Sequence, residues 1–163
     1  MSVVTFDHRV FPQFQLDAFH DKQALLQAIS QIAYSGGFTS IHAGLQYVRE
    51  KSFNATYGAR EDVARIAVVL TDGQGSYALT AQQAALLKQA GVTVFAIGVG
   101  SINQKELEAI ASHPNSTHMF VVNDYNALTN IHGSLKQATC EGNLHFHFHY
   151  PSLLVNFLTA TIL

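Results

Sequence analysis

Apolar residues along the chain predict strands that alternate with helices. Residues 66–70 and 92–100 are almost continuously apolar, and residues 118–122 form a shorter run of the same kind. Apolar residues spaced by three or four positions follow each run and predict a helical face after it. Strand and helix therefore alternate three times between residues 65 and 139. Continuously apolar strands are typical of a parallel sheet that is covered on both faces.

The first third of the chain predicts two strands followed by two helices. Residues 3–6 are rich in β-forming residues, and residues 11–16 contain a proline that favours an edge strand. Asp21 is a candidate N-cap for a helix that ends before two glycines. Apolar residues within 41–48 predict the second helix. Together the patterns predict an α/β fold with a doubly wound, mostly parallel sheet and helices on both faces.

Composition narrows the classes of function. Hydrophobic residues make up 48% of the 163 residues and charged residues 12%, which is typical of a globular chain. The net charge is -2 and no basic run occurs, so nucleic acid is a poor candidate partner. The sequence contains neither a leader peptide at its start nor a membrane span, and we expect no membrane-spanning segment.

Two polar segments are candidates for chemistry at the carboxyl ends of the strands, where such sheets bind ligands. Asp72 follows the run 66–70 directly, although Asp-Gly is also a common turn. Thr39 and Ser40 follow two glycines at the start of the second helix, where N-capping is the simpler role. Carboxylate and hydroxyl oxygens are ligands that Mg²⁺ prefers. The segments therefore also predict a cation site.

Several motifs together resemble the von Willebrand factor type A domain, in the form found in collagens and matrilins. They are VVTFD at the start, GGFTSIHAGL, VVLTDGQ, GVTVFAIGVG, ELEAIASHP and HMFVVNDYNAL. The resemblance covers residues 1–140 and leaves residues 141–163 as a tail of uncertain nature.

The resemblance implies a metal-ion-dependent adhesion site built from three loops. Thr39 matches the second loop and Asp72 the third, but the Asp-x-Ser-x-Ser motif of the first loop does not occur in this sequence. The family's first strand, in the middle of the sheet, and its helix are then expected to be missing. Each buried backbone group left unpaired would cost about 1–3 kcal/mol. We expect an incomplete domain, from a fragment or a truncated gene model, that binds Mg²⁺ or Mn²⁺ weakly or not at all.

Cys140 is the only cysteine in the sequence and cannot form an internal disulfide. The resemblance implies a partner cysteine just before the first strand, which this sequence does not include. Cys140 is then unpaired here. The alternative is a small buried apolar side chain.

The tail after residue 140 has two unusual features. His145, His147 and His149 alternate along it, but a strand separates alternate side chains by about 6.6 Å, and no fourth zinc ligand is evident. We therefore favour a tail that lies outside the domain, or even non-native coding sequence. The alternative is that the apolar segment 152–163 fills the vacant central strand.

The resemblance implies a non-enzymatic adhesion or matrix-binding module outside the cell. Its partners would be extracellular matrix or cell-surface proteins that offer an acidic side chain to the metal. Two sequons, at Asn54 and Asn115, are candidates for glycosylation. An intracellular domain of the same fold, in an ATP-driven or repair assembly, is the alternative. A nucleotide-binding enzyme is disfavoured, because Gly98 and Gly100 lack the third glycine of the dinucleotide fingerprint.

Overall fold

The computed structural model describes residues 1–33, 39–72, 75–141 and 156–161. These residues form a six-stranded sheet with helices on both faces. The strands are β1 (Ser2–Phe6), β2 (Val10–Phe14), β3 (Arg65–Thr71), β4 (Val92–Val99), β5 (Met119–Val122) and β6 (Asn156–Thr161). The helices are α1 (Lys22–Ser30), α2 (Ile41–Tyr47), α3 (Tyr77–Gln89), α4 (Gln104–Ile110), α5 (Asn115–His118) and α6 (Leu128–Glu141).

The strands lie in the order β2-β1-β6-β3-β4-β5. All neighbours are parallel except β1 and β2, which form an antiparallel pair at one edge. β3 and β4 pair without interruption from Arg65 opposite Val92 to Thr71 opposite Gly98. The proline of β2 lies on an edge strand, where one side of the backbone needs no sheet partner. The predicted doubly wound, mostly parallel sheet is confirmed.

β6 occupies the central position that the sequence analysis expected to be vacant. Leu158 lies opposite Ser2 of β1 on one side and opposite Ala67 of β3 on the other. The segment NFLTAT contains neither proline nor glycine, so it can continue both ladders. The preference for a tail outside the domain was therefore wrong for residues 156–161. For residues 156–161, the alternative that the apolar segment fills the central strand is confirmed.

The two faces of the sheet carry separate apolar clusters. On one face, buried residues of β1, β3 and β4 pack against α2, α3 and α4. On the other face, α6 covers side chains of β3 and β4. The members of this second cluster are Ile66, Val68, Phe95 and Ile97, with Leu70, Phe120, Leu128, Ile131, Leu135 and Ala138 packed against them. The predicted apolar stripe of the last helix therefore contacts the sheet.

The first turns of α3 and α4 are stabilised in different ways. α3 begins at Tyr77 after Ser76, whose side chain makes no capping hydrogen bond, and Thr80 is fully buried within the helix. Asn103 caps α4, since its Oδ1 accepts the N–H groups of Lys105 and Glu106. The Glu106 carboxylate does not complete a capping box but accepts the N–H of Gly75 at 3.0 Å.

Lys88 connects α3 to the end of α4. Its Nζ donates to the carbonyl oxygens of Ala109, at 2.6 Å, and Ala111, at 2.9 Å. These carbonyls lie at a helix C-terminus, where a cation is favourable. Partial burial lowers the pKa of Lys88 below its ordinary value.

Candidate metal and binding site

Asp72 lies at the carboxyl end of β3 and is exposed. Thr71, the residue before it, is only 2% exposed, so the chain passes from the buried core to the surface between these two residues. The apolar pattern of residues 66–70 explains this position, because it keeps β3 buried between its two helical layers. A charged oxygen ligand is therefore presented at the edge of the sheet where α/β folds bind ligands.

A hydroxyl group from another loop contacts the Asp72 carboxylate. Tyr125 Oη donates to Asp72 Oδ2 at 2.8 Å. Tyr125 begins a short 3-10 turn, Tyr125–Ala127, between β5 and α6. Asp124 caps this turn by accepting the N–H of Ala127 at 3.0 Å. No local sequence pattern indicates this role of Tyr125.

Thr39 and Ser40 lie beside the end of β1. The N–H of Ser40 donates to the carbonyl oxygen of Asp7, which directly follows that strand, at 3.0 Å. Ser40 is the N-cap residue of α2, but its side chain makes no capping hydrogen bond. Thr39 is half-buried. The simpler explanation of the Ser40 hydroxyl, N-capping, is therefore wrong.

Gly75 brings the Thr39 segment and the Asp72 loop together. A Cβ atom built on Gly75 would lie 3.4 Å from the carbonyl oxygen of Thr39 and 2.8 Å from Glu106 Oε1. The two sequence-predicted site residues therefore belong to neighbouring segments. A side chain at position 75 would require the Glu106 carboxylate to shift.

Glu106 binds the backbone of the segment after Asp72, and its place in the sequence did not mark it as a site residue. Its side chain is 2% exposed, and Oε2 accepts the N–H of Gly75, while Oε1 is buried with no hydrogen-bond partner among the described residues. Thr80 Oγ1, 3.4 Å from the same Cβ position, is also buried and has no such partner in the described part of the chain. A carboxylate in the first turn of a helix after an apolar strand was the available sequence signal.

Asp7 is a second carboxylate at this edge that the sequence analysis did not select as a ligand. It is 7% exposed, and Oδ1 accepts the N–H of Arg9 at 2.6 Å and lies 3.0 Å from His8 Nδ1. Its position after VVTF repeats the pattern of Asp72 after VVLT. The contacts with its own loop show that Asp7 stabilises the turn after β1.

The donor chemistry of Thr39 and Asp72 suits a hard cation. A hydroxyl and a carboxylate are oxygen ligands for Mg²⁺ or Mn²⁺, which keep several water molecules when protein ligands are few. Within the described part of the chain, no three His, Cys, Asp or Glu side chains come together as a metal-binding group.

The other candidate residues lie apart from this edge or outside the described part of the chain. Cys140 lies in α6, and its side chain is outside the described residues, as are His145, His147 and His149. None of the helices seen in the described segments has the length and apolar character that crossing a membrane requires.

The two sequons differ in exposure. Asn54 is exposed, and its side chain accepts the N–H of Thr56 at 2.9 Å in front of a short 3-10 helix. Asn115 begins α5 and is half-buried, with its side-chain oxygen fully buried. A glycan would therefore fit the folded surface at Asn54 better than at Asn115.

Comparisons with known proteins agree with the motifs. A family model of the von Willebrand factor type A domain matches residues 1–134. The chain is 31% identical over 128 residues to the collagen alpha-1(XII) chain of Notophthalmus viridescens, covering 78% of this chain. It is 30% identical over 144 residues to Matrilin-2 of Mus musculus, covering 86% of this chain.

A solved structure extends the likeness to three dimensions. Proximal thread matrix protein 1 from the mussel byssus, in a form with a zinc-occupied MIDAS motif, superposes with a TM-score of 0.73 at 31% identity. That match covers 84% of this chain and 33% of the mussel chain.

These relatives are proteins of matrices, not enzymes by name, and they are far longer than this sequence. The chain spans 14% of the collagen and 15% of the matrilin. What is shared is therefore one domain of each relative. By the family model, the identities and the superposed fold, this chain belongs to the von Willebrand factor type A domain family.

Proposed function

We propose that this chain is a protein-binding module of an extracellular matrix or adhesion protein. Its contact surface is the carboxyl-end edge of the sheet, where Thr39 and Asp72 meet a divalent cation. The observation that carries this proposal is the exposed Asp72 carboxylate at the end of a buried strand, with the Thr39 segment next to its loop. A cation held there would complete its shell with an acidic side chain of the partner.

The relatives favour this function over the intracellular alternative. A collagen and a matrilin match most of the chain at 30% identity or more. The mussel protein, whose MIDAS motif holds zinc in one structure, belongs to a byssal matrix. We therefore place the function of this chain in a matrix or at a cell surface and assign it no reaction.

We expect binding of the cation to be weak. Thr39 and Asp72 supply two protein ligands, and the Asp-x-Ser-x-Ser motif does not occur in this sequence. Water would occupy most of the remaining positions, as is usual for Mg²⁺ bound by one or two carboxylates. The residues fit Mg²⁺ or Mn²⁺ in chemistry but do not form a closed cage.

Isothermal titration calorimetry with Mg²⁺, Mn²⁺ and Zn²⁺ tests this proposal. The unchanged chain should release or absorb heat on binding, and Asp72→Ala should abolish that signal. Asp62→Ala is the matched control, because Asp62 is an exposed carboxylate just before the amino end of the same strand. The proposed cation site would be refuted if the unchanged chain gave no binding heat. It would also be refuted if Asp72→Ala and Asp62→Ala gave equal heats.

A further inference from the structure

Asp72 is restrained although it is exposed. An exposed carboxylate ordinarily samples several rotamers, and a free side chain would lose that freedom on binding a cation. Here the Tyr125 hydroxyl donates to Asp72 Oδ2 at 2.8 Å across the loops that follow β3 and β5. Among the described residues this is the contact recorded for the Asp72 carboxylate, so Oδ1 is the oxygen that a cation would take.

The contact is not a consequence of burial. Tyr125 is 40% exposed, so water could satisfy its hydroxyl without any help from Asp72. A buried hydroxyl would need a protein partner to avoid a desolvation cost, but an exposed one does not. The hydrogen bond therefore has its main effect on the carboxylate, whose orientation it fixes.

Tyr125 is itself held by a rigid part of the fold. Asp124 caps the turn that Tyr125 begins, and the N–H of Gly100 donates to the carbonyl oxygen of Val122 at 2.8 Å just before that turn. Leu128, the first residue of α6, packs against the cluster on the second face of the sheet. The hydroxyl is thus placed by β5 and α6, which are both anchored to the core.

We propose that Tyr125 is a positioning residue for a divalent cation at Asp72. The hydroxyl holds Oδ2 and thereby leaves Oδ1 oriented for the cation. Hydrogen-bond partners of metal-binding carboxylates typically change metal affinity 10–100-fold when they are removed. This inference rests on the proposed function, because it requires that a cation binds at Asp72.

The test is a titration with Mn²⁺, in which electron paramagnetic resonance measures the concentration of the free ion. Three chains are compared: the unchanged protein, Tyr125→Phe and Tyr57→Phe. Tyr57 is the matched control, because its carbonyl oxygen accepts the N–H of Leu16, which follows β2 at the opposite edge of the sheet. We expect Tyr125→Phe to bind Mn²⁺ about 10–100-fold more weakly and Tyr57→Phe to bind it as the unchanged protein does.

Thermal unfolding without metal separates positioning from a structural role. Loss of an exposed hydroxyl should leave the melting temperature of Tyr125→Phe unchanged while its affinity falls. Equal or tighter Mn²⁺ binding by Tyr125→Phe would overturn the role of Tyr125 and leave the cation site intact. No Mn²⁺ binding by the unchanged protein would overturn the proposed cation site as well, so the two failures can be told apart.

Discussion

The two halves of the sheet are assembled in different ways. β3, β4 and β5 are parallel neighbours that follow one another along the chain, and helices cover both of their faces. β1 and β2 form an antiparallel pair with an irregular register between Val3 and Val4, and they join the rest of the sheet through β6. The larger half therefore depends on local sequence, and the smaller half depends on a segment from the other end of the chain.

This difference predicts where the fold is most vulnerable. β6 contributes a ladder to each half, along Ser2–Val4 on one side and Arg65–Leu70 on the other. Its removal would expose backbone groups of two central strands at once. A single bond counts for about 0.5–1.5 kcal/mol net, but buried groups left unpaired cost more than the bond gave.

Deletion of residues 151–163 should have the largest effect. We expect a loss of about 5 kcal/mol or more, which is comparable to the whole stability of a small domain, about 5–15 kcal/mol. Urea unfolding followed by circular dichroism measures it. Leu158→Pro is a narrower variant that keeps the length of the chain but removes an N–H from the middle of β6.

The deletion needs a control for the change in length. Removing residues 162 and 163 alone should leave the unfolding transition in place, because the deletion keeps every described pair of β6, from Asn156 to Thr161. A chain without residues 151–163 that unfolds at the same urea concentration as the full chain would show that the two halves do not need β6.

Glu106→Ala tests the larger half at its carboxyl-end loop. The substitution leaves the N–H of Gly75 without its partner and creates a small cavity beside Thr80. We expect destabilisation of about 1–3 kcal/mol by urea unfolding. Hydrogen exchange of the Gly75 amide should become faster, and Glu106→Gln, which retains an acceptor oxygen, should be less destabilising than the alanine variant. Slow exchange in the alanine variant would contradict a supporting role of Glu106.

Gly44→Ala tests the packing of the smaller half. A Cβ on Gly44 would lie 2.6 Å from Cδ1 of Phe6, a buried ring of β1. Overpacking costs about 1–3 kcal/mol, and the better helix propensity of alanine returns about 0.5–1 kcal/mol. The net expectation is a loss of about 1–2 kcal/mol in thermal or urea unfolding.

Gly133→Ala is the matched control for that substitution. Gly133 lies in α6, and no atom of the described residues lies within 4 Å of the position its Cβ would occupy. Here only helix propensity changes, and alanine should stabilise the protein by about 0.5–1 kcal/mol. Equal changes in the free energy of unfolding at both glycines would show that the ring of Phe6 moves aside without loss of stability.

The contrast between the halves also explains what the sequence could predict. β3, β4 and α6 follow from continuous or helically spaced apolar residues, which are local signals. The pairing of β6 with β1 is not local, and an apolar segment near residue 156 does not encode which strand lies beside it. Likewise, Tyr125 and Asp72 are separated by 53 positions, so their hydrogen bond has no local signature. The burial of Thr80 is likewise not local, because it depends on the packing of other elements around α3.

The two sequons provide the prediction with the smallest effect on stability, and one lies beside each half. Asn54 precedes the turn that bonds to Leu16 after β2, and Asn115 begins α5 just before β5. Expressed with a secretion signal in animal cells, the chain should carry a glycan at Asn54 and none at Asn115, because Asn54 is exposed and Asn115 is half-buried.

Intact mass before and after enzymatic removal of N-glycans measures this difference. Asn54→Gln should abolish the mass shift, whereas Asn115→Gln should leave it unchanged, so each variant is the control for the other. A glycan at Asn115 would contradict the expectation that the half-buried sequon is the poorer acceptor of the two.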